Sequence, residues 1–269
     1  MEKFLDHTIR IEIYVGLSKT GILYRMLTLN TGQTPMSFRH QLEILYHDYL
    51  DDGQLPDTIK VLREAEESRA RGTGKYRYQD VIDMFYAYST GTPSPFDRKA
   101  LVGELREMNF LESYRHDADG SDMLQILLHY HQLESKLIEL TGDWRFDQEN
   151  LDEDVPRPFG KTIPNIFARP QPMAGFGAEL NRLIRIRDLQ SISDIQARID
   201  SVTVNEPELT LNRLILVLDQ IARNAKKIGD SQRVYFQLLF RNLFYTESEF
   251  YLDLSGSILK AQESYELMY

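Results

Sequence analysis

The sequence contains no cysteine. That excludes disulfide frameworks, thiolate zinc sites and cysteine nucleophiles, and it makes a reducing compartment, the cytoplasm, the expected location. No apolar run approaches the roughly 20 residues needed to cross a bilayer. The opening MEKFLDHTIRIEIYV scatters charges where a secretory signal would be continuously apolar, so neither membrane insertion nor secretion is expected. Positive charge is short as well: 31 basic against 41 acidic residues leave a net charge of −10, and long-range repulsion then opposes broad adhesion to DNA or anionic membranes. Several site signatures are missing. There is no Gly-rich phosphate loop closed by Lys-Ser or Lys-Thr, no GxGxxG behind a strand, no GxSxG and no HExxH. The AGFGAE at 174–179 follows a proline-rich stretch rather than a strand, so it is not read as a dinucleotide site.

What is present is enough for a core. With 269 residues, 42% of them hydrophobic, the chain can form one large domain or two small ones. In TIRIEIYV, Ile9, Ile11, Ile13 and Val15 alternate with Arg10, Glu12 and Tyr14, the two-residue period of a half-buried strand. Gly16 ends it, and Ser18 can cap a helix to about Leu29 with Ile22, Leu23, Met26 and Leu29 on one stripe. After the polar turn at 28–37, Ser37 caps a second helix in which Phe38, Leu42, Leu45, Tyr46 and Tyr49 recur at helical spacing until Asp51, Asp52 and Gly53.

The stretch 58–80 combines the strong helix formers of REAEESRAR with GTG and YRY, which suggest a turn into a short extended piece, so its state stays open. Helical patterns follow in QDVIDMFYAYS, in DRKALVGELREMNFLESY after the breaker TGTPSP, and in SDMLQILLHYHQLESKLIELTG with Ser121 or Asp119 as cap. Residues 142–177, with Pro156, Pro158, Pro164, Pro170 and Pro172, read as a long loop or boundary, and Trp144 is expected to pin it to the helices. Helices then recur in GAELNRLIRIRDLQ, SDIQARIDS, LTLNRLILVLDQIARNAKKIG, SQRVYFQLLFRNLFY and SEFYLDLSGSILKAQESYELM. In the third of these, Leu211, Leu214, Ile215, Leu218, Ile221, Ala222 and Ala225 form a stripe expected to be bundle core. The fold class is therefore mainly α with some β, one or a few short strands near the N-terminus ahead of a multi-helix bundle. The expected units are 1–55, a helical region 56–141, the loop or boundary 142–177, and a C-terminal bundle 178–269.

Three constellations carry candidate chemistry. His40, Glu43 and His47 fall at i, i+3 and i+7 of one helix, opposite the Phe38/Leu42/Leu45 stripe. Two imidazoles and a carboxylate suit zinc or another borderline metal, although no fourth ligand is nominated. His129 and His131 stand two apart in a helix and face different sides, with His129 nearer the apolar side as a hydrogen-bonded core residue. A local basic face is expected through Arg157, Lys161, Arg169, Arg182, Arg185 and Arg187, as a place for nucleic acid.

The turn itself carries the third. Leu29, Asn30, Thr31, Gly32, Met36 and Ser37, between a strand-helix unit and another helix, resemble the second half of ParB-like domains of the DGQHR/DGQQR-motif kind, found in prokaryotic DNA modification and anti-phage defence. The resemblance covers about residues 8–50. It implies a nucleotide-binding turn of Asn30, Thr31, Gly32, Gln33 and Ser37, with a nucleotide and Mg²⁺ as ligand, and with Asn30 and Gln33 at the two positions that face the nucleotide. Where ParB members carry Arg, this chain has Gln33. The physical rationale is that free N–H groups at the second helix's start, beside an amide and a hydroxyl, can hold phosphate or ribose.

The half of the domain bearing the DGQHR motif is not in the chain, because only seven residues precede the strand. The expectation is thus an incomplete ParB-like component that does not catalyse alone and works with a protein partner or a missing N-terminal half-domain. Two rivals stand beside it: a helical protein-protein interaction module, and a metal-dependent nuclease or nucleotide hydrolase using His40, Glu43 and His47.

Overall fold

The computed structural model describes Val15 and residues 55–62, 73–94, 121–141, 166–167, 169–245 and 253–268. Among them run two strands, β1 (Lys60–Leu62) and β2 (Lys75–Arg77), and seven α-helices. These are α1 (Tyr78–Thr90), α2 (Ser121–Thr141), α3 (Pro170–Arg185), α4 (Ile195–Asp200), α5 (Pro207–Asn224), α6 (Ile228–Leu243) and α7 (Leu254–Glu266). A mainly α fold with a small strand component is what the sequence implies, and no helix among the described residues is long and apolar enough to cross a membrane.

Within the open stretch at 58–80 the described residues hold the two strands, which pair in parallel with Lys60, Val61 and Leu62 opposite Lys75, Tyr76 and Arg77, and the start of α1. Gly74 makes the entry to β2 possible. Its φ is +71°, and a Cβ there would stand 2.1 Å from the Thr58 carbonyl oxygen, so neither the conformation nor the space admits a side chain. Val15, expected on the buried face of the early strand, is instead 91% exposed and lies outside any strand. It adjoins Gly16, where the alternation stops. The rest of that strand lies outside the described residues.

α1 is buried on every side from Asp80 to Ala87, the mark of a central helix rather than a surface one. Gly91 stops it in the left-handed region, its N–H donating to the Ala87 carbonyl at 2.9 Å. In α2, Met123, Ile126, Leu127, Tyr130, Leu133 and Leu137 form the buried stripe that helical spacing implies.

α3 starts at Pro170, seven residues before Gly177, and stops at Arg185 rather than running on to Gln190. The correction has a simple cause. Pro170 occupies the first helical position, where its missing N–H would have no intrahelical partner, so the proline starts the helix instead of breaking a loop. AGFGAE is therefore interior helix. Its glycines serve contact: a Cβ on Gly177 would stand 2.2 Å from the Met84 carbonyl oxygen of α1, and one on Gly175 would stand 2.7 Å from the Gln237 nitrogen of α6. α3 is thus pressed backbone to backbone between α1 and α6.

The neighbours along these contacts fix direction. Gly177 lies beside Met84 and Tyr88, and Gly91 beside Asn181. On the other flank Gln171 lies beside Gly229, Gly175 beside Phe236, and Glu179 beside Arg241. Numbers rise together on all three helices, so α1, α3 and α6 run parallel and begin at one end. Phe176 then packs edge-on against Tyr130, Phe240 and Phe244 at centroid distances of 5.3, 5.9 and 6.1 Å, welding α3 to α2 and α6. The helix expected over 209–229 ends at Asn224, and the chain turns through Ala225–Lys227 into α6. Of its stripe, Leu214, Ile215, Leu218 and Ile221 are buried, while Leu211, Ala222 and Ala225 are partly so.

Candidate anion-binding site

The common end of α1, α3 and α6 gathers the polar groups that the core would otherwise reject. Each helix end there is the positive end of its peptide dipoles, although α3, with Pro170 and Pro172 in its first turn, offers only the Gln171 N–H among its first three positions. The residue standing before each is basic: Arg77 before α1, Arg169 before α3 and Lys227 before α6, none with a side-chain capping bond. That is the reverse of the Ser, Thr, Asp or Asn that helix starts favour. Among the described residues three other helices begin behind an acid. Asp253 caps α7, accepting the Gly256 N–H at 2.8 Å, whereas Glu206 before α5 and Asp194 before α4 make no capping bond to their own helices, Asp194 instead taking the N–H groups of Ser191 and Gln190 at 2.7 and 2.9 Å.

Behind the basic helix starts lies a buried ion pair. Arg233 of α6 donates through Nη2 to Asp83 Oδ2 of α1 at 2.6 Å, and Gln79 donates to the other Asp83 oxygen at 3.2 Å. Asp83 is 5% exposed and Arg233 6%, so removing either partner strands the other in low dielectric, at a cost of roughly 3–5 kcal/mol. Asp80, also buried, faces the same end and acts electrostatically on Arg169. Burial first, and the nearby Arg77 charge second, pull the Arg169 guanidinium down to about 10.

Three polar atoms here have no hydrogen-bond partner: Arg233 Nη1, Gln232 Nε2 and Gln171 Oε1. Gln232 is 2% exposed. A buried donor or acceptor left unmade costs about 1–3 kcal/mol, and native interiors avoid the situation. Helical side chains lean toward their own N-terminus, which aims Gln232 and Arg233 back to the shared helix end. Gln171 reaches there from α3, its Nε2 about 4.0 Å from the Cβ position of Gly229.

A second buried cluster positions the strand that leads in. Glu134 of α2 is buried and accepts the Gly74 N–H at 3.0 Å and the Tyr76 hydroxyl. His131 Nδ1 lies 3.1 Å from the Tyr76 hydroxyl and 3.6 Å from Glu134. Burial, then the Glu134 charge, push the Tyr76 hydroxyl well above the ordinary tyrosine range, so it stays protonated and donates. The cluster fixes β2, and with it Arg77. A cavity of about 850 Å³ opens beside α6 over Val217, Ile221 and Val234, with Lys226, Asp230 and Tyr265 at its sides. Lys227 lines it too, but none of the unpartnered atoms does, so it is distinct from the buried donors.

Asn30, Thr31, Gly32, Gln33 and Ser37 lie outside the described residues, as do His40, Glu43 and His47, and Trp144, Arg157 and Lys161. Among the described residues no group of three His, Cys, Asp or Glu side chains could hold a metal ion. Among the described residues the expected basic face does not form as one surface. Arg169 precedes α3 whereas Arg182, Arg185 and Arg187 lie at its far end, roughly 20 Å away at 1.5 Å per residue, and Arg182 is engaged by Glu179. The two histidines of α2 do face different elements. His129, however, is part-exposed against Gln132 and Gln196 at 2.9 and 3.2 Å, and His131 is the one joined to the buried cluster. Compared with protein-family models, curated proteins and solved structures, the chain matches none.

Proposed function

We propose that the chain is a phosphate-recognising helical component of a system acting on nucleotides or nucleic acid, not a complete enzyme by itself. The observation that carries this is the pooling of three helix starts, each behind a basic residue, over a buried Arg233–Asp83 pair. A phosphate group suits such an end because helix N–H groups and guanidinium forks both donate to its oxygens. The resemblance of residues 29–37 to ParB-like proteins of DNA modification and phage defence points the same way, toward a nucleotide bound with Mg²⁺ and a partner chain. It supplies the biological setting of the proposal.

Calorimetric titration with a nucleoside triphosphate, with and without Mg²⁺, tests the reading on three proteins: wild type, Arg169→Gln and Asn30→Ala. Binding that weakens about tenfold in Arg169→Gln supports phosphate recognition at the helix starts. Binding lost only in Asn30→Ala moves the ligand to the turn. No heat of binding from any phosphate compound removes the function.

A further inference from the structure

Resting on that reading, we infer that the site at the starts of α1, α3 and α6 takes a terminal phosphoryl group, a phosphate monoester or inorganic phosphate, rather than the diester backbone of a nucleic acid. The first reason is enclosure. Gln232, Arg233, Asp83 and Asp80 are all at least nine-tenths buried. A diester continues on both sides of its phosphorus and must lie along an open groove, whereas a terminal phosphoryl group enters end-on and leaves its ester chain outside.

The second reason is donor supply. Gln232 Nε2 and Arg233 Nη1 are buried N–H donors with no partner, and both lean toward a helix end whose field is positive. A terminal phosphoryl group offers three strong acceptor oxygens and a charge of about −1.5 to −2 near neutral pH; a diester offers two unbridged oxygens and a single charge. The remaining unpartnered atom, Gln171 Oε1, is an acceptor, and a half-turn of that amide about its last torsion presents the NH₂ group instead. Asp83 holds the Arg233 fork from one side, leaving Nη1 directed elsewhere. The bland competitor is a hydrogen bond between Gln171 and Gln232 themselves.

The test compares one short oligonucleotide carrying either a 5′-phosphate or a 5′-hydroxyl, together with inorganic phosphate, titrated into the full chain and into Gln232→Leu. The inference expects the 5′-phosphorylated strand to bind at least tenfold tighter than its hydroxyl twin. It also expects Gln232→Leu to bind inorganic phosphate about tenfold more weakly than wild type, at an unliganded Tm equal to or above that of wild type. Equal affinity for the two oligonucleotides overturns the inference and leaves phosphate recognition standing. A lower Tm in Gln232→Leu with unchanged phosphate affinity overturns it in favour of the glutamine pair. If no phosphate compound binds at all, the function proposed above falls with it.

Discussion

Two sets of helix starts divide this molecule. α4, α5 and α7 begin behind Asp194, Glu206 and Asp253, so each positive end has an acid before it, and Asp253 also caps its helix by a hydrogen bond. α1, α3 and α6 begin behind Arg77, Arg169 and Lys227, side by side and pointing the same way. The first set follows the electrostatics of an isolated helix. The second departs from it at three places that only the folded chain brings together, and departures of that kind concentrate where a protein meets a ligand. Internal acids soften the second set: Asp80 lies in the first turn of α1, and Asp230 is 3.8 Å from Lys227. The buried donors of Gln232 and Arg233 are left unanswered.

The contrast can be broken most forcefully at its buried pair. Asp83→Ala leaves the Arg233 guanidinium without its counter-charge, and urea unfolding should show a loss of about 3–5 kcal/mol. The double change Asp83→Leu with Arg233→Met should recover most of it. The next largest effect concerns the helix contacts that pool the starts. Gly→Ala inside a helix ordinarily gains about 1 kcal/mol. Gly177→Ala should instead lose about 1–3 kcal/mol, because its Cβ lies 2.2 Å from the Met84 carbonyl oxygen. A gain would mean that α1 and α3 are not in backbone contact.

The smallest effects sharpen the contrast itself. Asp253→Ala removes a working cap and should cost about 1 kcal/mol. Arg169→Asp, which installs the usual kind of cap, should raise the unliganded stability by about 0.3–1 kcal/mol while weakening phosphate binding. Opposite signs for these two substitutions in thermal unfolding would separate a set of starts built for stability from one built for recognition.

Much of the helical scaffold was legible in periodicity, as the stripes of α2 and α5 show, because burial of one face is a local pattern. The start of α3 was not, since Pro170 and Pro172 signal a helix start or a loop equally well until the following residues are seen packed. Nor was the pairing of β1 with β2, which joins residues 15 apart through no alternation longer than three residues. The site was hidden by distance. Arg77, Arg169 and Arg233 are scattered over more than half the chain, and the expected basic face included Arg169 but joined it to Arg182, Arg185 and Arg187, which gather at the other end of α3. The basic residue before each helix becomes visible only once the true starts are known, because periodicity places these starts at Gln79, Gly177 and Ser231 rather than behind Arg77, Arg169 and Lys227. The expected nucleotide turn and metal trio lie outside the described residues and stay expectations.

The most direct test is amide NMR of the full chain titrated with inorganic phosphate. If α1, α3 and α6 share an anion-binding end, shifts concentrate at the first turns of all three, around Gln79, Gln171 and Gly229, and in the side-chain amide of Gln232. Shifts confined to Asn30–Ser37, or to the cavity around Val217 and Tyr265, would contradict it.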